Sequence, residues 1–299
     1  MEESSVPTRA YLYLMIAALG WGGNAVVGKL AVGHASPMML TFWRWVLAVA
    51  IITAISVPQL IKDRALMRKH WLLLLGYGAV GYTAFNALLY SALQYTTAIN
   101  AAIEQAAIPL AIFAANFLLF RLKASWAQMA GFALTLVGVA VTASHGDVTT
   151  LLSLSLNFGD GLMMLCVLAY TVYTIGLRWK PPLHWKSLMA GPALGALLTS
   201  IPLMLWEMSR DATIWPDATG WGIIAYISIF PSLISQILYI EGVERIGANR
   251  AGLFINMVPV FGTLLSIAII GERLEPFHIL AMALVIAGIA IAERGKPAR

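Results

Sequence analysis

Ten separate runs of mostly apolar residues follow one another along this 299-residue chain. An α-helix needs about 20 such residues to cross the hydrocarbon core of a bilayer. The runs cover residues 11–32, 37–57, 71–94, 97–120, 126–145, 158–177, 187–207, 219–243, 251–270 and 276–292. The connections between them are too short to hold a soluble domain. The sequence therefore predicts an all-α integral membrane protein with ten transmembrane helices.

Composition agrees with that prediction. Hydrophobic residues make up 60% of the chain and charged residues 11%, whereas a soluble domain has about 25% charged residues. The first run is expected to remain in the mature chain, because it is longer than the core of a signal peptide and contains Trp21, Asn24 and Lys29. Cys166 is the only cysteine, so a disulfide bond within the chain is excluded.

The basic residues predict how the chain is oriented in the membrane. With the N-terminus in the cytoplasm, fifteen of the 19 lysines and arginines lie on the cytoplasmic side, including the cluster KDRALMRKH at 62–70. Only Arg210 and Arg273 lie in loops on the opposite side. Because cytoplasmic loops are enriched in Lys and Arg, both termini are expected in the cytoplasm. The basic charge is scattered, with no basic groove or aromatic stacking platform, so a nucleic-acid partner is not predicted.

The two halves of the sequence resemble each other at an offset of 150 residues. The segment FALTLVGVAV at 132–141 aligns with MALVIAGIAI at 282–291. Each half then holds five spans, within residues 1–146 and 147–299. An odd number of spans inverts the second copy relative to the first. The sequence thus predicts two five-helix inverted-topology repeats, an architecture in which the substrate site lies near the midplane between the repeats.

The same offset pairs two prolines inside predicted spans, Pro109 and Pro259. A proline removes one helical hydrogen bond and clashes with the preceding turn. One interpretation is a pair of hinges that gate a cavity, and the other is a pair of kinks that help the helices pack. With a one-residue slip, Tyr90 also aligns with Tyr239.

Three motifs resemble the EamA-type members of the drug/metabolite transporter (DMT) superfamily. They are LGWGGNAVVGKL at 19–30, FWRWVLAVA at 42–50 and GERLEP at 271–276. The chain is most similar to the YddG-type exporters of aromatic amino acids. The resemblance covers essentially the whole chain and implies export of amino acids or related metabolites across the bacterial inner membrane. In the first half, Arg121-Leu122 stands where the second half has Gly271-Glu272, so this last motif supports the resemblance from one half only.

Glu104, Arg44 and Lys29 are charged side chains inside the predicted spans. A charge near the bilayer centre costs at least about 2.5–3.5 kcal/mol, so it normally faces the protein interior or water. Glu104 either attracts an amino group or carries a proton, or it pairs with one of the two cations for structure. Each cation either meets a substrate carboxylate or snorkels to the membrane surface. Asp160 and Glu241 are weaker candidates for a proton carrier because they lie near span ends.

Aromatic and amide side chains recur at equivalent places in the two halves, as a cavity around a pseudo-twofold axis would require. The predicted lining of a substrate cavity is Trp21, Asn24, Arg44, Tyr82, Asn86, Tyr90, Glu104, Tyr170, Tyr173, Ser235, Gln236, Tyr239 and Asn256. Taken singly, each aromatic residue is also explained by packing or by the interfacial belt. The fifth and tenth spans are aliphatic with Gly and Ala, which favours helix packing or a dimer-facing surface. A monomer and a homodimer both fit this pattern.

Several classes of site are not predicted. GYGAVG at 76–81 matches a dinucleotide fingerprint, but it lies inside a span with no preceding strand. The five histidines lack metal-ligand spacing, so neither a metal nor another cofactor is expected. No Walker motif is present, so neither ATP hydrolysis by this chain nor an ATPase subunit is implied.

The predicted function is that of a secondary transporter, not an enzyme, which exports amino acids and other small zwitterions by alternating access. Its partners are the small-molecule substrate and the lipid bilayer. A multidrug or nucleotide-sugar-type carrier is the alternative, although a sugar nucleotide would require several cations in the cavity. A membrane-embedded enzyme is a remote alternative that would require clustered acid, base or metal groups. Proton coupling and facilitated diffusion both remain open.

Overall fold

The computed structural model describes residues 5–121, 125–147, 157–246, 251 and 254–294, and within them it holds helices and turns but no strand. Eight helical segments are long and apolar enough to cross a membrane: Thr8–Leu30, Pro37–Ala54, Trp71–Ala92, Ala98–Phe120, Trp126–Ala143, Phe158–Trp179, Trp185–Ser209 and Ala218–Ile246. Two shorter apolar helices follow, Val258–Ile270 and Pro276–Ala292. The all-α prediction is confirmed for these residues, and most predicted ends agree within about three residues, the usual scatter at helix ends.

Fourteen labelled helices build these segments. They are α1 (Ser5–Leu30), α2 (Pro37–Ala54), α3 (Val57–Lys69), α4 (Trp71–Tyr77), α5 (Phe85–Ala92), α6 (Ala98–Gln105), α7 (Ile108–Phe120), α8 (Trp126–Ala143), α9 (Phe158–Gly176), α10 (Trp185–Ser209), α11 (Ala218–Ile229), α12 (Ser235–Ile246), α13 (Val258–Leu265) and α14 (Pro276–Arg294). Short π-helices at Gly78–Ala84, Phe230–Ile234 and Ser266–Ile270 join or extend them.

Helix α3 was not predicted from the sequence. It follows closely on α2, carries Lys62, Arg64, Arg68 and Lys69, and has no buried residue. The predicted second span therefore ends at Ala54 and not at residue 57. A polar helix with its four basic side chains exposed belongs outside the apolar bundle, because a charge inside the bundle would be costly.

The fourth and ninth predicted spans are both broken just before their prolines. Turns occupy Ala106–Ala107 and Asn256–Met257, and α7 and α13 each begin one residue before the proline. Since the first turn of a helix leaves its N–H groups unbonded, proline is tolerated there. The prolines thus begin new helices after a break.

The break in the fourth span separates two differently packed halves. Every residue of Ala98–Glu104 is buried, whereas Leu110 is the one buried residue of α7. Helix α6 packs against α1, α8, α9, α13 and α14, while α7 packs mainly against α9. The two halves therefore sit in very different environments.

The connections fall at two ends of the bundle that differ in charge. The acidic end holds Asp147, Asp160, Glu207, Asp211, Asp217, Glu272 and Glu275, and the basic end holds Lys62, Arg64, Arg68, Lys69, Arg121, Arg178, Lys180, Lys186 and Arg245. His34 Nδ1 lies 2.7 Å from Asp217 Oδ2 at the acidic end. At this same place, a hydrogen bond from the backbone N–H of Gly220 and another from His34 lower the pKa of Asp217. Lys123, Arg250, Lys296 and Arg299, also counted in the orientation argument, lie outside the described residues.

Helix packing repeats between the two halves of the chain. Helix α1 packs on α12 and α13, and α9 packs on α5 and α7. Helices α8 and α14 pack directly on each other, with Gly131 and Gly138 facing the backbone of Gly288 and Ala281 at the contact. Small residues allow such close approach, so the helix-packing interpretation of the two aliphatic spans is confirmed.

Candidate functional site

Arg44 is the centre of a buried polar cluster, defined here as the arginine centre, which also contains Asn24, Asn86, Tyr90 and Ser232. Arg44 is 5% exposed. Its Nη1 donates hydrogen bonds of 2.9 Å to Asn24 Oδ1 and 2.9 Å to Asn86 Oδ1, and a third to the Tyr90 hydroxyl. Its Nε donates to Ser232 Oγ at 2.8 Å. The interpretation that Arg44 snorkels to the surface is wrong, because its guanidinium points into the bundle.

Local structure orients each partner of the guanidinium. Asn86 Nδ2 donates to Tyr82 O at 2.7 Å, which turns Asn86 Oδ1 toward Arg44. Ser232 Oγ donates to Ile227 O at 2.7 Å across the π-helix, so its lone pairs face the arginine Nε. Asn86 and Tyr90 meet Arg44 together because residues four apart share a helix face. The sequence singled out all members except Ser232, whose position depends on a π-helix that hydropathy does not show.

Every hydrogen-bond partner of the arginine centre is neutral. Among the described residues, ion pairs join only His34 to Asp217 and Arg245 to Glu241. Arg44 Nη2 makes no hydrogen bond to a described residue. A buried cation without a counter-ion is expensive unless another anion reaches it. The arginine centre therefore has a positive charge without a counter-ion and a free donor for an anionic group.

An aromatic wall lies beside the arginine centre and is formed by Trp45, Tyr82, Phe85, Tyr170 and Tyr173. The Trp45 and Tyr82 rings stack at 4.7 Å with an angle of 5°. Tyr82 lies 5.6 Å from Tyr173, which lies 5.5 Å from Tyr170, and Tyr170 lies 5.1 Å from Phe85. The Arg44 guanidinium is 5.5 Å from the Trp45 ring centre. Such a wall offers apolar area and phenol oxygens beside a cation.

Three of the remaining predicted lining residues, Trp21, Ser235 and Tyr239, lie at the contact between α1 and the segment that contains α12. The rings of Trp21 and Tyr239 are 5.3 Å apart, and Trp21 Nε1 donates to Pro231 O at 3.1 Å. Ser235 is buried against Gly20. Two further residues of the predicted lining, Gln236 and Asn256, are half-buried and make no hydrogen bond to a described residue.

Glu104 lies apart from the arginine centre. It is fully buried, and no described residue donates a hydrogen bond to either of its carboxylate oxygens. Lys29 Nζ instead donates to two carbonyls at the end of α5, Leu93 O at 2.8 Å and Thr96 O at 2.7 Å. Of the two alternatives for Glu104, the structural ion pair with Arg44 or Lys29 is therefore wrong. The electrostatic neighbours of Glu104 are Asp160 and Cys166 on α9.

A polar network surrounds a pocket of about 270 Å³ at the acidic end, whose lining includes Asn100, His145, Glu272 and His278. Asn100 Oδ1 lies 3.0 Å from His278 Nε2, and Asn100 Nδ2 lies 3.4 Å from His145 Nε2. Asn100 Nδ2 also donates to Thr96 Oγ1 at 3.3 Å. The sequence did not single out either histidine, because their distance along the chain hides the contact.

Glu272 of the GERLEP motif caps a helix from the other half of the chain. Its two carboxylate oxygens accept hydrogen bonds from Ala98 N at 2.8 Å and Ile99 N at 2.9 Å, at the start of α6. Gly271 before it has φ +75, a left-handed conformation that glycine adopts without strain. Arg121, which is 150 residues earlier, is also left-handed, with φ 52. The motif thus ends one span and caps another.

Two further carboxylates cap helix N-termini across the molecule, one at each end. Buried Glu207 at the end of α10 accepts hydrogen bonds from Ser36 Oγ at 2.5 Å, Met38 N at 3.1 Å and Met39 N at 3.2 Å, at the start of α2. At the basic end, Asp63 Oδ2 accepts one from His184 N at 3.3 Å, just before α10. A carboxylate at a helix N-terminus satisfies free N–H groups and complements the helix dipole.

Comparisons with known proteins show sequence similarity to transporters. The chain is 26% identical over 285 residues to the uncharacterized transporter YyaM of Bacillus subtilis, over 94% of this chain and 92% of the relative. It is 25% identical over 182 residues to the uncharacterized inner membrane transporter YedA of Escherichia coli, over 60% of this chain and 56% of the relative. A crystal structure of a protein 21% identical in sequence has the same fold, with a TM-score of 0.66 over 95% of this chain and 96% of that chain.

The sequence model of the EamA-like transporter family matches the chain twice, over residues 8–144 and 157–293. These two matches together cover most of the chain and are separated by residues 145–156, near the middle of the sequence. The protein is a multi-pass membrane protein that belongs to the EamA-like transporter family.

Proposed function

We propose that this transporter exports amino acids with apolar or aromatic side chains from the cytoplasm by alternating access. The observation that carries the proposal is the arginine centre, a buried guanidinium whose hydrogen-bond partners are all neutral. A substrate carboxylate would neutralise Arg44 and accept a hydrogen bond from its Nη2. Charge-assisted hydrogen bonds of this kind are about twice as strong as neutral ones.

The aromatic wall supports an amino acid over other carboxylates. A carboxylate bound at Arg44 would lie beside the stacked Trp45 and Tyr82 rings, where an aromatic side chain gains about 0.5–1.5 kcal/mol per ring pair beyond area burial. The hydroxyl oxygens of Tyr82 and Tyr173 offer acceptors for an ammonium group. A nucleotide sugar fits less well, because Lys29 is already bonded to backbone carbonyls.

The alternating-access step rests on an internal duplication, residues 1–146 and 147–299, arranged as two inverted five-helix repeats. Features 150 residues apart support it: the breaks before Pro109 and Pro259, and the left-handed Arg121 and Gly271. The double match of the family sequence model supports it too. In such repeats the halves rock around a fixed central site.

The conformation described here supports a carrier closed at its acidic end. Glu207 and Glu272 tie helices of the two halves together there, while α7 near the basic end is mostly unburied. With the basic end in the cytoplasm, as the positive-inside rule predicts, this is the state that receives substrate from inside. We place the carrier in a bacterial inner membrane with both termini cytoplasmic.

Transport by purified protein in liposomes tests the proposal. Exchange of labelled aromatic and aliphatic amino acids should be saturable, and Arg44→Lys should weaken it at least about tenfold, because an ammonium cannot replace the planar guanidinium fork. Arg245→Gln is the matched control, since Arg245 lies in an exposed ion pair with Glu241. Failure of folded wild-type protein to exchange any of a broad amino-acid panel would overturn the proposal. Exchange of nucleotide sugars alone would favour the rival carrier.

A further inference from the structure

We infer that Glu104 and Asp160 form a proton-binding pair, loaded from the acidic end through His145, that couples substrate export to proton uptake. This inference rests on the proposed function, because it names the coupling ion of that same carrier. It assigns roles to Asp160 and His145 and gives the relay a direction.

The pair consists of two buried carboxyl groups on facing helices. Glu104 on α6 is fully buried, and Asp160 near the start of α9 is 2% exposed. Asp160 Oδ1 accepts a hydrogen bond of 2.8 Å from Thr96 Oγ1. Asp160 Oδ2 and both oxygens of Glu104 receive no hydrogen bond from a described residue. Helices α6 and α9 pack together, and the two carboxyl groups interact electrostatically.

Two such groups cannot both be ionised at low dielectric, because like charges repel and burial disfavours each charged form. No described cation neutralises them: Lys29 on α1 is bonded to carbonyls, and Arg44 to the arginine centre. Helix α13 contributes no titratable side chain to this surface, and α9 adds only the Cys166 thiol near Glu104. A proton held by the pair is the ligand that relieves the repulsion.

The hydrogen bonds at the acidic end define which atom receives the proton first. His278 Nδ1 accepts from Glu275 N at 3.0 Å, so its Nε2 carries the hydrogen and donates to Asn100 Oδ1. That hydrogen bond fixes the orientation of the Asn100 amide, so its Nδ2 donates to His145 Nε2. His145 Nε2 is therefore an acceptor that lines the pocket. Glu272, also in the pocket lining, is occupied by the N–H groups of α6.

The proton moves in three steps. A hydronium ion in the pocket gives its proton to His145 Nε2 and becomes water, and the protonated Nε2 no longer accepts the hydrogen bond from Asn100. His145 interacts electrostatically with Asp160 and passes the proton to the free Asp160 Oδ2. Asp160 passes it on to Glu104. The break at Ala106–Ala107 lies two residues beyond Glu104, and from there the proton leaves to the basic side when that end opens.

Liposomes loaded at acid pH provide the transport test. Proton efflux should drive amino-acid accumulation, up to about tenfold per pH unit for one proton per substrate. Glu104→Gln should retain exchange without a gradient within about twofold but accumulate nothing, and Asp160→Asn should behave alike. His145→Gln should slow the approach to accumulation about tenfold while reaching the same level. Glu241→Gln is the matched control, because Glu241 is an exposed carboxylate in an ion pair.

Infrared spectroscopy gives a measurement independent of transport. Wild-type protein should show the carbonyl band of a protonated buried carboxyl group at neutral pH, and Glu104→Gln should lack it. Accumulation by Glu104→Gln, or a wild type that exchanges but never accumulates, would overturn the proton pair and leave the proposed function intact. Absence of exchange together with a normal carboxyl band would overturn the proposed function instead. Absence of the carboxyl band would overturn the proton pair by itself.

Discussion

At both the acidic and the basic end of the molecule, a carboxylate from one half of the chain caps a helix N-terminus of the other half, but the cap at the acidic end is the stronger. At the acidic end, buried Glu207 accepts two backbone N–H groups and a hydroxyl at the start of α2. At the basic end, Asp63 accepts one N–H from His184 at 3.3 Å and is not buried. Burial strengthens a charge-assisted hydrogen bond, because water does not compete for it. The two halves are therefore held together more firmly at the acidic end.

The two halves of the fourth span, α6 and α7, also differ in how firmly they are held. Helix α6 is buried and capped by Glu272 at the acidic end, while α7 is mostly half-buried, has Leu110 as its one buried residue and leads to the basic end. The break between them separates a fixed part from a weakly packed one. Elements with few buried contacts are those that move at low cost. We therefore expect the first opening movement at the basic end.

Removal of the Glu207 cap should have the largest effect on stability. Glu207→Ala leaves three donors without an acceptor, two of them on buried residues (Ser36 and Met39) and one on half-buried Met38. We expect the free energy of unfolding in detergent to fall by about 3 kcal/mol. Glu207→Gln keeps the shape and one acceptor and should lose less. Asp63→Ala, the counterpart at the basic end, should leave thermal unfolding nearly unchanged. If both alanine variants lose the same free energy of unfolding, the acidic end is not held more firmly than the basic end.

Removal of the Glu272 cap should have the second-largest effect on stability. Glu272→Ala frees the N–H groups of Ala98 and Ile99, and a loss of about 2 kcal/mol is expected from thermal or denaturant unfolding. Glu275→Ala is the control three residues away, because its exposed side chain caps no helix. An equal loss in the control would show that the loop, and not the cap, sets the stability.

Substitution of the two prolines should affect movement of the helices more than stability of the fold. Pro109→Ala and Pro259→Ala allow a continuous helix through each break, and we expect turnover in liposomes to slow about tenfold, equivalent to about 1.4 kcal/mol of activation free energy. Unfolding temperatures should stay close to wild type. Normal turnover in both variants would mean that the breaks only help packing.

The smallest effects should come from two of the left-handed residues, Gly271 and Arg121. Gly271→Ala places a Cβ in a left-handed conformation and should cost about 1 kcal/mol, while Arg121→Gly relieves the same strain and should stabilise by a similar amount. If the unfolding free energy falls in Gly271→Ala and rises in Arg121→Gly, the two positions have equivalent roles. Two destabilising results would contradict it and point to a separate role for the Arg121 side chain.

Hydropathy was sufficient to predict the eight long apolar segments, because membrane insertion depends on local apolar length. It also brought Asn24, Arg44, Asn86 and Tyr90 forward as interior groups, since polar side chains in apolar runs rarely face lipid. It could not predict that neutral groups surround Arg44, or that Glu272 reaches the start of α6 from 174 residues away. Those contacts depend on how helices distant in sequence pack, and no local pattern encodes them.

The π-helices have a consequence for the history of the chain. Trp71 and Trp221 are 150 residues apart, but Tyr90 and Tyr239, after the π-helices, are 149 apart. In a regular α-helix, loss of one residue rotates every later side chain by about 100°. Here the π-helix has seven residues in the first half and five in the second, and a π turn takes up a residue that an α turn cannot. Under the proposed duplication, this segment allowed one copy to lose a residue by deletion while both tyrosines kept facing the interior.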